Sequence, residues 1–144
     1  MKRAILLVIL AIVLVLGFYA YREYYRKNIN LAQVAPEVTI TAPELIKAFE
    51  ADSAGANKQY GGKIVAVQGT VKSVEQEPNA ATIILGESGT MSSVRCSMDT
   101  ANVAKAATVK EGQALTIKGS LSGFNQDELL GSDVILNRCV ITTN

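Results

Sequence analysis

Hydrophobic and polar positions alternate along Gly62-Lys63-Ile64-Val65-Ala66-Val67-Gln68-Gly69-Thr70-Val71-Lys72-Ser73-Val74. That is the two-residue period of a strand buried on one face. Gly69 interrupts the run in its middle. A glycine inside a strand marks a bulge or bend where a sheet curls, so this strand is expected to bend as the first strand of a small barrel. The alternation returns over Ala81 to Gly86, Met91 to Met98, Gly112 to Gly119 and Asp133 to Ile141, predicting four more strands. Between them the chain reads as a polar turn at Glu75 to Asn79, a tight turn at Glu87-Ser88-Gly89 and a loop from Gly123 to Gly131. Asp99 to Ala106 has helical propensity, with Asp99 as its cap. The Gly62-to-Gly69 spacing recurs as Gly112 to Gly119, which reads as shared strand grammar rather than as a repeat unit.

Ahead of the first strand the period becomes helical, with Leu45, Ile46, Ala48, Phe49 and Ala51. Thr41-Ala42-Pro43-Glu44 begins it as a capping box, in which a hydroxyl and a carboxylate three residues on satisfy each other's backbone donors. Pro43 fits the first turn, where its missing N–H would have no partner anyway. The helix is expected to run to Ala51, with further turns before Tyr60, and its apolar face to close one end of the barrel.

Residues 1–21 have another character. Met1-Lys2-Arg3 is basic, and Ala4 to Ala20 is an apolar run of seventeen residues. As a helix it would cover about 26 Å, just enough for a bilayer core. Tyr19, Tyr21, Tyr24 and Tyr25 crowd its far end, where amphipathic rings favour headgroups. The competing reading, a cleaved signal peptide, needs a small-x-small site, and a cut after Ala20 would put bulky Phe18 at the −3 position. No cysteine follows the run, so lipid attachment there is not expected. Residues 4–20 are read as an uncleaved transmembrane anchor and 22–40 as a juxtamembrane connector, with helix continuing to about Asn30 and ending before Pro36. Residues 41–144 form the domain. Basic residues flank the run on both sides, so the positive-inside rule scarcely sets its orientation. The usual behaviour of a short basic head places the domain across the membrane.

Composition sharpens this division. The chain is 49% apolar and 19% charged, with the apolar excess concentrated in the first twenty residues. From Thr41 onward nine basic side chains face eleven acidic ones, a net charge of −2. Such a domain lacks the electrostatic attraction that dominates non-specific nucleic-acid affinity. Lys63, Lys72, Arg95, Lys118 and Arg138 alternate with apolar residues, the pattern of a solvated outer face.

The expected order is a helix, three strands, a short helix and two strands. That is the plan of the OB-fold, a five-stranded, partly open Greek-key barrel. The fold class is therefore mainly β, a barrel with a leading helix and a short helix between its third and fourth strands, preceded by a transmembrane helix. Tyr60-Gly61-Gly62-Lys63-Ile64-Val65-Ala66-Val67-Gln68-Gly69, Val94-Arg95-Cys96, Glu111-Gly112-Gln113-Ala114-Leu115-Thr116-Ile117-Lys118-Gly119 and Arg138-Cys139-Val140-Ile141, with the helix from Glu44 to Phe49, resemble the tRNA_anti-like OB-fold proteins. The resemblance covers about residues 42 to 142 and rests on glycines and alternating apolar residues. It implies a small bacterial protein with an N-terminal membrane or export segment. The family name records similarity to anticodon-binding domains; it implies no tRNA binding and carries no catalytic motif.

Candidate chemistry is sparse. Cys96 and Cys139 fall on the third and last strands, neighbours in an OB barrel. In an oxidising compartment a disulfide is expected, closing a loop of about forty residues, worth roughly 3–4 kcal/mol in the chain-entropy model. The alternative is two buried thiols acting as small hydrophobes. Two cysteines without histidine fall short of a zinc site, and no metal or cofactor is expected. Phe124 is the one aromatic placed in the loop between the last two strands, where OB domains meet ligands. Asp127 and Glu128 accompany it, with Asp133 nearby, as oxygen donors or simple solvating charges. With no histidine and no nucleophile paired to a base, no enzyme is expected. The reading is a binding module anchored in a bacterial inner membrane, its domain in the periplasm and its partner a protein or glycan, with nucleic acid not expected. The alternative is a single-stranded nucleic-acid binder facing the cytoplasm, which would use a basic, aromatic barrel face.

Overall fold

Thr41 both ends a strand and starts a helix. The structure, a computed structural model, describes residues 12–22, 31–127 and 129–142. Within it the expected capping box forms: the Glu44 N–H donates to Thr41 Oγ1 at 3.4 Å, and the Thr41 N–H donates to Glu44 Oε2 at 3.2 Å. The helix so started, α1 (Ala42–Ala51), buries Ala42, Leu45, Ile46 and Phe49. Asp52 then begins α2 (Ser53–Tyr60), its carboxylate accepting the Gly55 N–H at 2.9 Å. Ala56 and Tyr60 turn inward from α2.

Six strands follow the alternation: β1 (Val38–Thr41), β2 (Ile64–Glu77), β3 (Ala80–Leu85), β4 (Ser93–Met98), β5 (Ala114–Asp127) and β6 (Gly131–Thr142). A 3-10 turn (Thr100–Asn102) and the short helix α3 (Val103–Ala106) join β4 to β5. The sheet order is β1-β2-β3-β4-β6-β5, and β2 pairs again with β5, closing five strands into a barrel. The expected OB architecture is present. Val65, Val67, Ile83, Leu85, Val94, Ile117, Leu121, Val134 and Leu136 fill its interior, and Leu45 and Phe49 of α1 belong to the same core.

Four expectations need correction. First, β1 is a sixth strand inside the supposed connector. It runs parallel to β2 in the register Val38↔Val65 to Thr41↔Gln68. Second, residues 31–37 of the connector are bound to the barrel. The Glu37 N–H donates to the Ile64 carbonyl at 2.9 Å, and Leu31 is buried. Lys118 is 6% exposed, and its ammonium donates to the carbonyls of Ala32 at 3.2 Å and Val34 at 2.6 Å.

Third, Gly123 to Asp127 is strand rather than loop, and Gly131 begins β6. Pairing continues from Gly123↔Ile135 to Asp127↔Gly131, because the backbone partners across the hairpin outweigh the polar side chains. Fourth, Gly69 is not the bulge; the register slips between Val71 and Ser73. A Cβ on Gly69 would stand 3.0 Å from Ala42 Cβ and 3.3 Å from Leu85 Cβ, so the glycine serves the close approach of α1.

The Gly62 and Gly112 echo has a physical basis. Both glycines lie in the left-handed region, at φ 73° and 78°. The Gly62 N–H donates to the Leu121 carbonyl at 2.9 Å and the Gly112 N–H to the Val71 carbonyl at 2.8 Å, one at each end of the β2–β5 ladder. Each is the left-handed glycine of a bulge that admits its strand to the pair.

Residues 12–22 are helical and exposed. The expected span, residues 4–20, lies partly outside the described residues. Among those described, no helix is long and apolar enough to cross a membrane.

Candidate functional site

The edge of β2 is shared. β1 covers it up to Gln68, running parallel, and β3 takes it over from Val71, running antiparallel. The two strands thus point their C-terminal ends at each other, with Gly69 and Thr70 in the seam. The chain leaves β1 at once into α1, and leaves β3 through Gly86, whose N–H donates to the Thr70 carbonyl at 3.0 Å. On the other side of β2 stand the start of β5, the end of β6 and the turn after α3. Between these segments lies a groove of about 790 Å³.

Its lining is neutral and mixed. Five threonines (Thr41, Thr70, Thr108, Thr116 and Thr142) and two amides (Gln68 and Gln113) supply donors and acceptors. Pro43, Val109, Leu115 and Ile141 supply apolar surface, and Lys105 and Glu87 contribute one charge of each sign. Several polar groups are held in place. Thr108 Oγ1 donates to the Lys105 carbonyl at 2.8 Å, Gln113 Oε1 accepts the Lys110 N–H at 3.3 Å, and Thr41 Oγ1 donates to Glu44 Oε2 at 2.8 Å. Those bonds to Thr41 hold the Glu44 carboxyl below its usual range, so the capping box is charged at neutral pH. Among the described residues no three His, Cys, Asp or Glu side chains gather to hold a metal ion.

Of the residues expected to form a site, Phe124 and Asp127 both lie on β5. Phe124 lies within β5, and its ring stacks on Phe49 with centroids 5.0 Å apart, extending the core. Asp127 ends the same strand, its Oδ1 accepting the N–H groups of Leu129 at 2.8 Å and Leu130 at 2.9 Å. Those two bonds lower its carboxyl pKa. Glu128 lies outside the described residues. Asp133 accepts a hydrogen bond from the Ser93 hydroxyl.

Cys96 and Cys139 do meet. The register slips by one residue between Cys96↔Leu136 and Met98↔Cys139, and Arg138 adopts φ 55° at the slip, turning Cys139 inward beside Cys96. Both are buried, and their thiols are free in this structure. The Cys96 thiol lies 3.9 Å from the Val94 carbonyl. Burial, reinforced by the Cys96 thiol, pushes Cys139 well above the ordinary cysteine range.

The outward face of β3 and β4 is the surface on which OB domains carry oligonucleotides. Thr82 and Ile84 of β3 here face Ser97 and Arg95 of β4. The Arg95 guanidinium is paired with Glu75 at 2.7 Å. No aromatic side chain occurs in β3 or β4.

Sequence reasoning missed the groove. Its lining comes from six separated segments, and threonine or glutamine on a strand carries no local signal of a site. The one hint was Gly69, which marks where α1 approaches.

The fold is shared with proteins of known structure. A "putative nucleic acid-binding lipoprotein" from Klebsiella pneumoniae subsp. pneumoniae MGH 78578 superposes with a TM-score of 0.57 at 17% identity, over 72% of this chain and 91% of that one. A "putative aspartyl-tRNA synthetase" from Leishmania major Friedlin gives a TM-score of 0.50 at 10% identity, over 74% of this chain but 21% of that one. At such identities the likeness concerns fold. It lends no support to the reading in which nucleic acid is not expected as a partner. No curated protein sequence matches the chain. The profile of the tRNA_anti-like family matches residues 1–140, the expected family and nearly the whole chain: the chain belongs to the tRNA_anti-like family.

Proposed function

We propose that this chain is a membrane-anchored binding module, not an enzyme, whose OB barrel works in the periplasm and holds an uncharged, extended segment of a partner polypeptide in the groove at Gly69. The groove's mixed lining carries this reading: hydroxyls and amides interleaved with Pro43, Val109, Leu115 and Ile141, with charges balanced. An extended peptide offers the same alternation, backbone amides between side chains of opposite face. The anchor is residues 4–20, and the docking of residues 31–37 on the barrel shortens the tether to it.

Panning a displayed library of random nonapeptides against the full-length protein in detergent tests this. Neutral sequences with alternating apolar residues are expected, and Thr70→Trp, which fills the groove, should abolish their binding without lowering Tm. Peptides that bind Thr70→Trp equally well would sink the reading.

A second reading is single-stranded nucleic acid on the outward face of β3 and β4. The Klebsiella lipoprotein, which is named for nucleic-acid binding, favours it. It calls for salt-sensitive binding of an oligonucleotide that depends on Arg95.

A further inference from the structure

The tip of the β5–β6 hairpin breaks the usual chemistry of turns, which favour glycine, asparagine, aspartate and serine. Leu129 and Leu130 occupy it, 82% and 77% exposed. Met91, 70% exposed, comes from the loop between β3 and β4 and lies against the same turn. A Cβ on Gly131 would stand 2.7 Å from Met91 Cβ and 2.6 Å from its carbonyl carbon, and Gly131 follows Leu130 directly. Three large apolar side chains thus form one exposed patch, the kind of surface that marks an interaction site.

The patch is held in place. Asp127 ties down both leucine N–H groups. Ser92, next to Met91, donates from its hydroxyl to Glu50 Oε1 of α1 at 2.8 Å and accepts the Ser132 N–H at 3.1 Å. The loop, the hairpin and α1 are therefore fastened to one another beneath the patch.

The charges around it decide the occupant. The carboxylates of Glu50, Asp127 and Asp133 all bond to the segments that carry the patch. Against them stands the Lys72 ammonium, which donates to the Thr90 carbonyl at 2.6 Å. An acidic rim repels nucleic-acid phosphates and anionic lipid headgroups alike. The tip is also remote from where the N-terminal segment is fastened. Lys118 and Asp127 lie on the same strand, about nine residues and so roughly 30 Å apart.

We infer that Met91, Leu129 and Leu130 form a docking knob for a protein whose receiving pocket is apolar and rimmed by lysine or arginine. The knob lies at the other end of β5 from the groove and needs no ligand there.

A photo-crosslinking amino acid placed at Leu130, and separately at Met91, in the full-length chain in its own cells tests this, with exposed Glu111 as the control position. One protein adduct should form from both tip positions and not from Glu111. Its crosslinked peptide should map to an apolar site flanked by basic residues. Leu129→Asp should cut the yield at least ten-fold with Tm unchanged, whereas Thr70→Trp should leave it intact. Adducts to lipid, nucleic acid or a second copy of the chain would overturn the proposal. So would no adduct, equal yield from Glu111, insensitivity to Leu129→Asp, or a crosslinked site without basic flanks.

Discussion

Gly131 meets two demands that no other residue satisfies together. Its φ of 87° lies in the left-handed region, and the Met91 backbone occupies the space a Cβ would need. Gly131→Ala should therefore destabilise the domain by about 1–3 kcal/mol in denaturant unfolding. Gly123→Ala, on the same hairpin but with nothing within 4 Å of its Cβ, should stay within about 1 kcal/mol of the parent. Equal losses would show that glycine matters there only as a weak strand former. At this scale the sequence was partly legible. The capping box at Thr41 and Glu44 could be read by spacing alone, because its partners are three residues apart. Phe124 could not, because its partner Phe49 is remote in the chain and only the closed barrel brings the rings together. Cys139 was placed on the correct strand, yet its inward turn depends on the unusual backbone of Arg138, which no pattern announces.

Among the elements, the two segments that pattern underrated make the sharpest predictions. The turn after β5 depends on the ionised Asp127 carboxylate. Its pKa is lowered on folding, so the contribution is complete above the ordinary value of 3.8 and is lost as pH falls through the depressed one. Hydrogen exchange should show Leu129 and Leu130 amides protected at pH 6 and released on acidification below the normal carboxylate range. Asp127→Asn should make that protection much less sensitive to acid.

The second segment is the docked connector. Lys118→Met keeps much of the stem but removes both hydrogen bonds to the Ala32 and Val34 carbonyls. A loss of roughly 1–3 kcal/mol is expected, with proteolysis appearing between Leu31 and Glu37 before the barrel unfolds. Unchanged proteolysis would mean that β1 alone holds the segment. Alternation predicted the five barrel strands because burial on one face leaves a period in the sequence. β1 escaped notice because four residues, Val38 to Thr41, are too few to show one, and its parallel pairing needs β2 already in place. The hairpin from Gly123 to Gly131 escaped for a related reason: its stability comes from backbone bonds that polar side chains do not advertise.

At the scale of the whole molecule, the barrel carries the groove at the start of β5 and the exposed leucines of the hairpin at its end. The compartment is open to a direct test through the core thiols. Cys96 and Cys139 are adjacent and buried, and Cys139 is held protonated, so neither should react with an alkylating reagent in the folded protein at neutral pH. If the domain lies in the periplasm as proposed, unfolding without reduction should leave them unlabelled, because an oxidising compartment pairs them. Free labelling after unfolding alone would place the domain in a reducing compartment. The groove was the part of the molecule least legible beforehand. Its threonines and glutamines are ordinary outward residues of strands and turns, and only the meeting of β1 and β3 on β2 collects them.

The central claim is that this groove, rather than the outward face of β3 and β4, takes the ligand. The most direct measurement is an amide chemical-shift titration of the full-length protein in micelles, with a neutral nonapeptide from the panning and, separately, with oligothymidylate. The account predicts saturable shifts with the peptide at Gln68, Gly69, Thr70, Thr108 and Thr116, and none that saturate with the oligonucleotide. Saturable shifts at Thr82, Ile84, Arg95 and Ser97 with the oligonucleotide, and a groove silent to the peptide, would contradict it.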